Sequence, residues 1–397
     1  MRAALPDIAL LLAGDYAVAE ASGNGITFDA VYTGEPIRNL SGGIQTGGTF
    51  LDNLDLRLAA DRGSLFGLPG LSGLLYVLYN NAAEFSADYA GDALTASNID
   101  APRAIRLYEA WLDWASDPEE HFSVRAGLYD LNSEFDSVET GGLFLNSAHG
   151  IGPDFSQTGL NGPSIFPVTS LTLRLKATTA TGAYGQLAVL DGVPGDPKHV
   201  SSNEIYLSHE DGALLVAEGG FSDGAWRKLA VGFWRYTANF DPLVGTTPSG
   251  DPQRGDGNNG WYAIADRTLW TGNSGTAAGF VRFGQANGRF NTFDRYLGAG
   301  ASLTGFWPAR IEDAIGLSVA IAFNGDEYRD AQELAGAATD AQETNLELTY
   351  RTPITDWLTV QPDIQYVINP GTDPALDNAL VILLRFELSF SRRLTGS

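Results

Sequence analysis

The 397-residue chain contains no cysteine, a single methionine and only three lysines, Lys176, Lys198 and Lys228. Without cysteine there is no disulfide, no thiolate zinc centre and no cysteine nucleophile. Cations are scarce altogether: 24 Lys and Arg face 48 Asp and Glu, a formal net charge of −24. That balance excludes a nucleic-acid partner, whose phosphates need a basic footprint. Also missing is an apolar run able to cross a bilayer as a helix. Residues 63–83 carry no charge over a sufficient length. Gly63, Gly67, Pro69, Gly70, Gly73, Asn80 and Asn81 break that stretch into a turn followed by a strand. At the amino terminus the apolar run 8–13 lies between Asp7 and Asp15. It is shorter than a secretory core and has no basic flank. The expectation is that the chain is not exported, or that its recorded start lies inside or after the signal peptide. Helical periodicity, internal repeats and low-complexity boundaries are not seen either.

What the chain does have is glycine (47 residues), aromatics (11%) and alternation with period two. In 170–178, Leu171, Leu173, Leu175 and Ala177 oppose Thr172, Arg174 and Lys176. The pattern predicts sixteen strands, at 26–38, 48–60, 73–81, 104–116, 121–130, 170–178, 183–191 and 212–222. The other eight fall at 227–239, 260–271, 278–285, 295–303, 313–324, 343–354, 358–368 and 379–390. Most approach the nine to eleven residues that a tilted membrane strand needs, and an even number suits a closed antiparallel barrel. Short turns, such as 179–182, alternate with long segments rich in Gly, Asp, Asn and Pro at 131–169, 192–211, 241–259 and 325–342.

Alternation alone leaves two readings open. In a soluble sandwich the apolar face points inward; in a membrane barrel it meets lipid and the polar face lines the lumen. Aromatics at strand ends, namely Trp114, Trp234, Tyr236, Trp270, Trp307, Trp357 and Phe390, suggest an interfacial girdle. The apolar faces also run for ten residues or more with hardly a charge. Both features tilt the choice toward the barrel.

Longer motifs make the reading specific. Arg125-Ala-Gly-Leu-Tyr-Asp-Leu-Asn-Ser-Glu-Phe135 is followed by Phe144-Leu-Asn-Ser and by Gly150-Ile-Gly-Pro-Asp-Phe-Ser-Gln-Thr-Gly-Leu-Asn-Gly-Pro-Ser-Ile-Phe-Pro167. Leu171-Thr-Leu-Arg-Leu-Lys176, Val189-Leu-Asp-Gly-Val-Pro-Gly-Asp-Pro197 and Gln361-Pro-Asp-Ile-Gln-Tyr-Val-Ile-Asn-Pro-Gly371 continue in order. The chain resembles the carbohydrate-selective porin family, OprB type, from about residue 14 to 390. The resemblance implies an all-β, sixteen-stranded transmembrane barrel in the outer membrane of a Gram-negative bacterium, with one long loop folded into the lumen. It implies passive diffusion of glucose and similar small carbohydrates, no catalysis and no cofactor. The partners implied are small carbohydrates and outer-membrane lipid, with a homotrimer as one assembly. The expected organisation is an N-terminal segment (1–25), the barrel (26–390) and a C-terminal extension (391–397) past the strand-ending aromatic Phe390. Two alternatives stay open: a general porin of low selectivity, and a soluble polysaccharide-binding β-domain.

A sugar-selective pore needs fixed donors and acceptors, an aromatic face for the ring, and weak binding. Parity gives lumen candidates Asp55, Arg57, Glu109, Trp111, Asp113, Arg125, Tyr129, Arg174, Asn345, Glu347, Arg351, Arg385 and Glu387. The loop 131–169 is the expected lumen loop. The constriction is expected to hold Arg125, Tyr129, Asp130, Asn132 and Glu134, faced by Arg57, Glu109, Trp111 and Arg174. Each of these charges could equally serve only to pair across strands. Asp130 and Glu134 do not read as a glycosidase pair, because no nucleophile or base accompanies them. His121, His149, His199 and His209 lack metal spacing, with His199 and His209 expected in a solvated loop. Gly298-Ala-Gly-Ala-Ser reads as a small-residue strand, since no helix follows it. The acidic loop residues Asp196, Glu210, Asp211, Asp251 and Asp256 show no calcium-loop spacing.

Overall fold

The computed structural model describes residues 25–395, apart from 64, 66, 82, 197–204, 206, 209, 246–252 and 274. The amino-terminal segment, His199, His209 and Asp251 therefore lie outside the described residues. Sixteen strands form one closed barrel in which each strand pairs antiparallel with its sequence neighbours and β1 closes on β16. The first eight are β1 (Ile26–Gly43), β2 (Gly47–Ala60), β3 (Leu71–Asn80), β4 (Ala104–Ala115), β5 (Phe122–Tyr129), β6 (Ser170–Thr178), β7 (Ala183–Asp191) and β8 (Ala213–Phe221). Then follow β9 (Trp226–Tyr236), β10 (Asn259–Gly272), β11 (Gly275–Ala286), β12 (Phe293–Thr304), β13 (Ala314–Asn324), β14 (Gln342–Thr355), β15 (Leu358–Ile368) and β16 (Asp377–Thr395). Each predicted segment corresponds to one of them. Strands β6, β7 and β15 coincide to the residue.

The two faces are inverted relative to a soluble protein. Ile105, Leu112, Leu173, Leu187, Phe233 and Leu317 are among the exposed apolar side chains, while Glu35, Asp113, Arg174, Asp266, Glu347 and Arg385 are buried. Closure satisfies every strand edge, so this apolar belt can meet lipid without unpaired backbone groups. The seven connections on the rim that holds the start of β1 and the end of β16, including 179–182 and 222–225, are each ten residues or fewer, and every longer connection lies on the other rim. A helix at Asp326–Leu334, which the periodicity did not signal, lies in one of these long connections with none of its residues buried.

Two expectations change. The strand predicted to end at Phe390 continues to Thr395, where Ser391, Arg392 and Arg393 pair with Asp29, Phe28 and Thr27. The residues 391–395 thus belong to the barrel wall and are not an extension beyond it. Within the aromatic girdle, Trp114, Trp270, Trp307, Trp357 and Phe390 are exposed, but Trp234 and Tyr236 are buried. Strand position suggested the membrane interface for those two. Their parity, shared with the buried Ala230, turns them into the lumen.

Candidate functional site

The lumen is narrowed by two loops, each anchored by wall residues remote in sequence. The first follows β5 and returns to β6 at Ser170. It starts where the Asp130 backbone N–H donates to Glu109 Oε1 (3.1 Å), which also accepts Trp111 Nε1 (3.2 Å). It then crosses to the far wall. Asp136 N donates to Glu218 (3.0 Å), Thr140 N to Asp266 (2.7 Å), and Leu145 N to Glu347 (2.6 Å). Arg282 binds the Asp136 carboxylate at 2.6 Å and also bonds Asp154. Small residues on the inner face of β12 and β13 leave room for this loop: a Cβ at Gly316 would stand 2.8 Å from both Leu143 and Phe144.

The second loop, residues 81–103, was not anticipated as a lumen element. Ser97 Oγ donates to Glu35 (2.6 Å), and Ala93 N and Leu94 N donate to Glu343 (2.9 and 2.8 Å). The two loops also bond each other, through Asn98 N to Leu145 O (2.8 Å) and Ser147 N to Thr95 O (3.0 Å). Sequence offered only its length between β3 and β4 as a clue.

Between these loops and the β1–β4 and β16 wall runs a cavity of about 430 Å³, within the range of small-molecule sites. Its wall side is polar. Tyr76 Oη and Asn53 Nδ2 donate to Asp55 Oδ1 (2.6 and 2.7 Å). The Arg57 guanidinium lies 4.6 Å over the Tyr76 ring, and Tyr108 Oη donates to Asp130 (2.6 Å). Tyr76 and Tyr108 meet edge to face at 4.9 Å. The loops bring Ile99, Val138, Phe144 and Ile151 to the same space, together with polar groups such as Asn98, Asp100, Asn132 and Gln157. A bulge opposite Tyr76–Val77 places both Tyr108 and Glu109 inside, where strict alternation would allow only one.

The nine expected constriction residues separate into two groups. Arg57, Asp130 and Asn132 border the cavity; Glu109, Trp111, Arg125, Tyr129, Glu134 and Arg174 do not line it. Four of the latter form a paired cluster with Asp113 and Lys176. Asp113 Oδ2 accepts Arg125 Nε and Arg174 Nη2, both at 2.9 Å. Glu134 accepts Arg174 Nε (2.8 Å), Lys176 Nζ (3.2 Å) and Tyr129 Oη (2.6 Å), with Arg125 Nη1 at 3.6 Å. Trp111 lies under the Arg125 guanidinium at 4.0 Å. The cavity residues Thr33, Asn53, Tyr76, Tyr108 and Asn98 were not singled out from sequence. Inward parity was available for Asn53, which alternates with Asp55 and Arg57.

Burial would raise the Glu134 carboxyl, but Arg125, Lys176 and Arg174 outweigh it and hold the group well below the usual carboxylate range. At Asp130 burial pushes the carboxyl up to about 6 against the pull of the Tyr108 hydroxyl and the Asn132 N–H. Burial also lowers the His149 ring to about 3, so it stays neutral between Phe144 and Phe280. His121 hydrogen-bonds Asp117 at 3.0 Å on an exposed turn, with Glu119 close by.

The family described as carbohydrate-selective porin, OprB family, matches residues 45–390. Porin B of Pseudomonas aeruginosa is 26% identical over 411 residues, covering 92% of this chain and 88% of that protein. Among solved structures, the high-pH structure of Pseudomonas putida OprB has a TM-score of 0.80 at 22% identity, covering 92% of this chain and 94% of that one. The outer-membrane channel DcaP of Acinetobacter baumannii has a TM-score of 0.52 at 9% identity, covering 94% and 99%.

Proposed function

The chain belongs to the carbohydrate-selective porin family, OprB type, of the Gram-negative outer membrane, and we propose that it selects small sugars in the cavity between its β1–β4 wall and its two lumen loops. The observation that carries this reading is the mixed chemistry of that cavity, fixed polar groups beside apolar surface. A pyranose presents hydroxyls around its edge and C–H groups on its faces. Asn53, Asp55 and Arg57 on the wall and Asp130 and Asn132 at the root of the first loop supply acceptors and donors. Val138, Phe144, Ile151 and Ile99 of the loops supply an apolar surface. Replacing water around each hydroxyl with fixed partners compensates desolvation, and the absence of tight enclosure keeps binding weak enough for release.

In this reading Asp55 and Asp130 are acceptors held in place by tyrosine hydroxyls, and Arg57 is a donor kept rigid by its stack on Tyr76. The Arg125–Asp113–Arg174–Glu134 cluster has a supporting role: it neutralises itself and fixes the root of the first loop. Planar-bilayer conductance tests the proposal. Glucose should partly block ion current, while a non-sugar of equal size should not. Arg57→Ala and Asp55→Ala should each raise the half-blocking glucose concentration several-fold. Equal, unblocked passage of both solutes would identify a general pore instead.

A further inference from the structure

The charge of −24 is unevenly placed along the permeation path. The eight connections on the long-loop rim contain 22 acidic and 5 basic side chains, against 8 and 2 in the seven turns on the opposite rim. The interior has the same sign. Among the described residues fourteen buried carboxylates face five buried arginines. Many of these carboxylates are satisfied without being neutralised. Asp266, for example, accepts the backbone N–H and hydroxyl of Thr140. An amide N–H fills a lone pair but leaves the negative charge in place. With Arg125, Lys176, Lys228 and Arg351, which pair with interior acids, counted beside the five arginines, the fourteen buried acids still outnumber nine cations.

We infer that this pore prefers cations, and that among sugars it passes protonated amino sugars faster than neutral ones and neutral ones faster than sugar acids or sugar phosphates. A narrow water-filled path with low-dielectric walls focuses the field of its fixed charges on the permeating solute. At physiological salt the screening length of about 8 Å is no shorter than the distance from wall to solute in such a constriction. No bound ion is required. The preference is a property of the field along the path, first in the mouth formed by the long loops and then in the lumen. The sugar order rests on the proposed sugar pathway, whereas the ion preference does not.

Two measurements separate these parts. In a potassium chloride gradient without sugar, the reversal potential should have the sign of a cation-selective pore, with a K⁺ over Cl⁻ permeability ratio of about threefold or more. A ratio of one or below overturns the inference. In liposome swelling the order glucosamine, glucose, glucuronate should descend; equal rates for all three overturn the charge ranking while leaving neutral-sugar transport intact. Conversely, failure of glucose to block current would overturn the sugar pathway and leave the ion ratio standing. The quadruple variant Asp326→Asn, Glu327→Gln, Asp330→Asn, Glu333→Gln removes charge from a helix with no buried residue. It should lower the ratio without changing glucose block. Asp266→Asn keeps an acceptor for Thr140 N and a donor for the Thr140 hydroxyl, and should lower the ratio further. An unchanged ratio in both variants would overturn the inference.

Discussion

Phe155, near the far end of the first lumen loop, lies flat against Trp234 of β9, with ring centroids 5.0 Å apart and planes within 2°. Both side chains are almost wholly buried. The stack anchors the loop on β9, three strands beyond β6, and Arg282 of β11 also holds Asp154. Removing a buried aromatic ring costs about 3–5 kcal/mol in well-packed interiors. Phe155→Ala should therefore release this half of the loop while the strand hydrogen bonds keep the barrel closed. Single-channel conductance should rise and glucose block should weaken. The unheated protein should still migrate as a folded barrel on a gel. Conductance unchanged from the parent would show that the stack does not hold the constriction.

Glu134 and Arg57 should behave oppositely when truncated, although both were expected at the constriction. Glu134→Ala leaves Arg125, Arg174 and Lys176 with Asp113 as their only remaining acidic partner in the cluster. Breaking a buried ion cluster from one side costs about 3–5 kcal/mol. The expected result is a lower yield of heat-modifiable barrel and a lower temperature for its conversion to the unfolded band. Arg57→Ala should leave that temperature nearly unchanged and act on sugar block. Because Glu134 is held well below the ordinary carboxylate range, its stabilisation is present at neutral pH. It is lost only as pH falls through that depressed value. Mild acid at pH 5 should thus leave the cluster intact.

Asp130 gives the contrasting pH response. Its carboxyl is raised to about 6 by burial, so keeping it ionised costs folding stability above pH 6, and that cost disappears as pH falls toward its unfolded value. Asp130 borders the cavity, so its protonation removes one acceptor charge from the path. Between pH 7.5 and 5 the half-blocking glucose concentration should shift with a midpoint near 6. Asp130→Asn should abolish that midpoint. A pH profile identical in parent and variant would remove Asp130 from the pathway.

How far the sequence reveals this arrangement depends on how local each cause is. Strand positions follow from alternation, a property of neighbouring residues, and β6, β7 and β15 emerge to the residue. The bulge at Tyr108–Glu109 breaks alternation for a single step, and its register depends on β3. The loop 81–103 resembles any polar surface loop, because its anchors Glu35, Glu343 and Arg385 lie dozens to hundreds of positions away. Trp234 is different. Its parity with Ala230 was legible, but its place at a strand end suggested the membrane interface. The inward face of Arg125 and Arg174 follows from strand parity, yet which inward charges touch the path and which neutralise each other depends on the course of the loops.

Gly316 supplies the last prediction. It faces inward on β13, and a Cβ there would come within 2.8 Å of the Leu143 and Phe144 side chains. The strand cannot retreat, since β12 and β14 hold it on both sides. The displaced element must be the loop, and Phe144 already borders the cavity. Gly316→Ala needs only a small shift of two flexible side-chain ends. Gly316→Leu forces them toward the path, at a packing cost of about 1–3 kcal/mol. Conductance should fall in the order parent, Ala, Leu, opposite in sign to Phe155→Ala. Gly185 on β7 has no heavy atom within 4 Å of its Cβ position, so Gly185→Leu should leave conductance unchanged. Equal conductance in the parent and Gly316→Leu would mean that the loop yields away from the cavity and that the small-residue wall does not set the width of the pore.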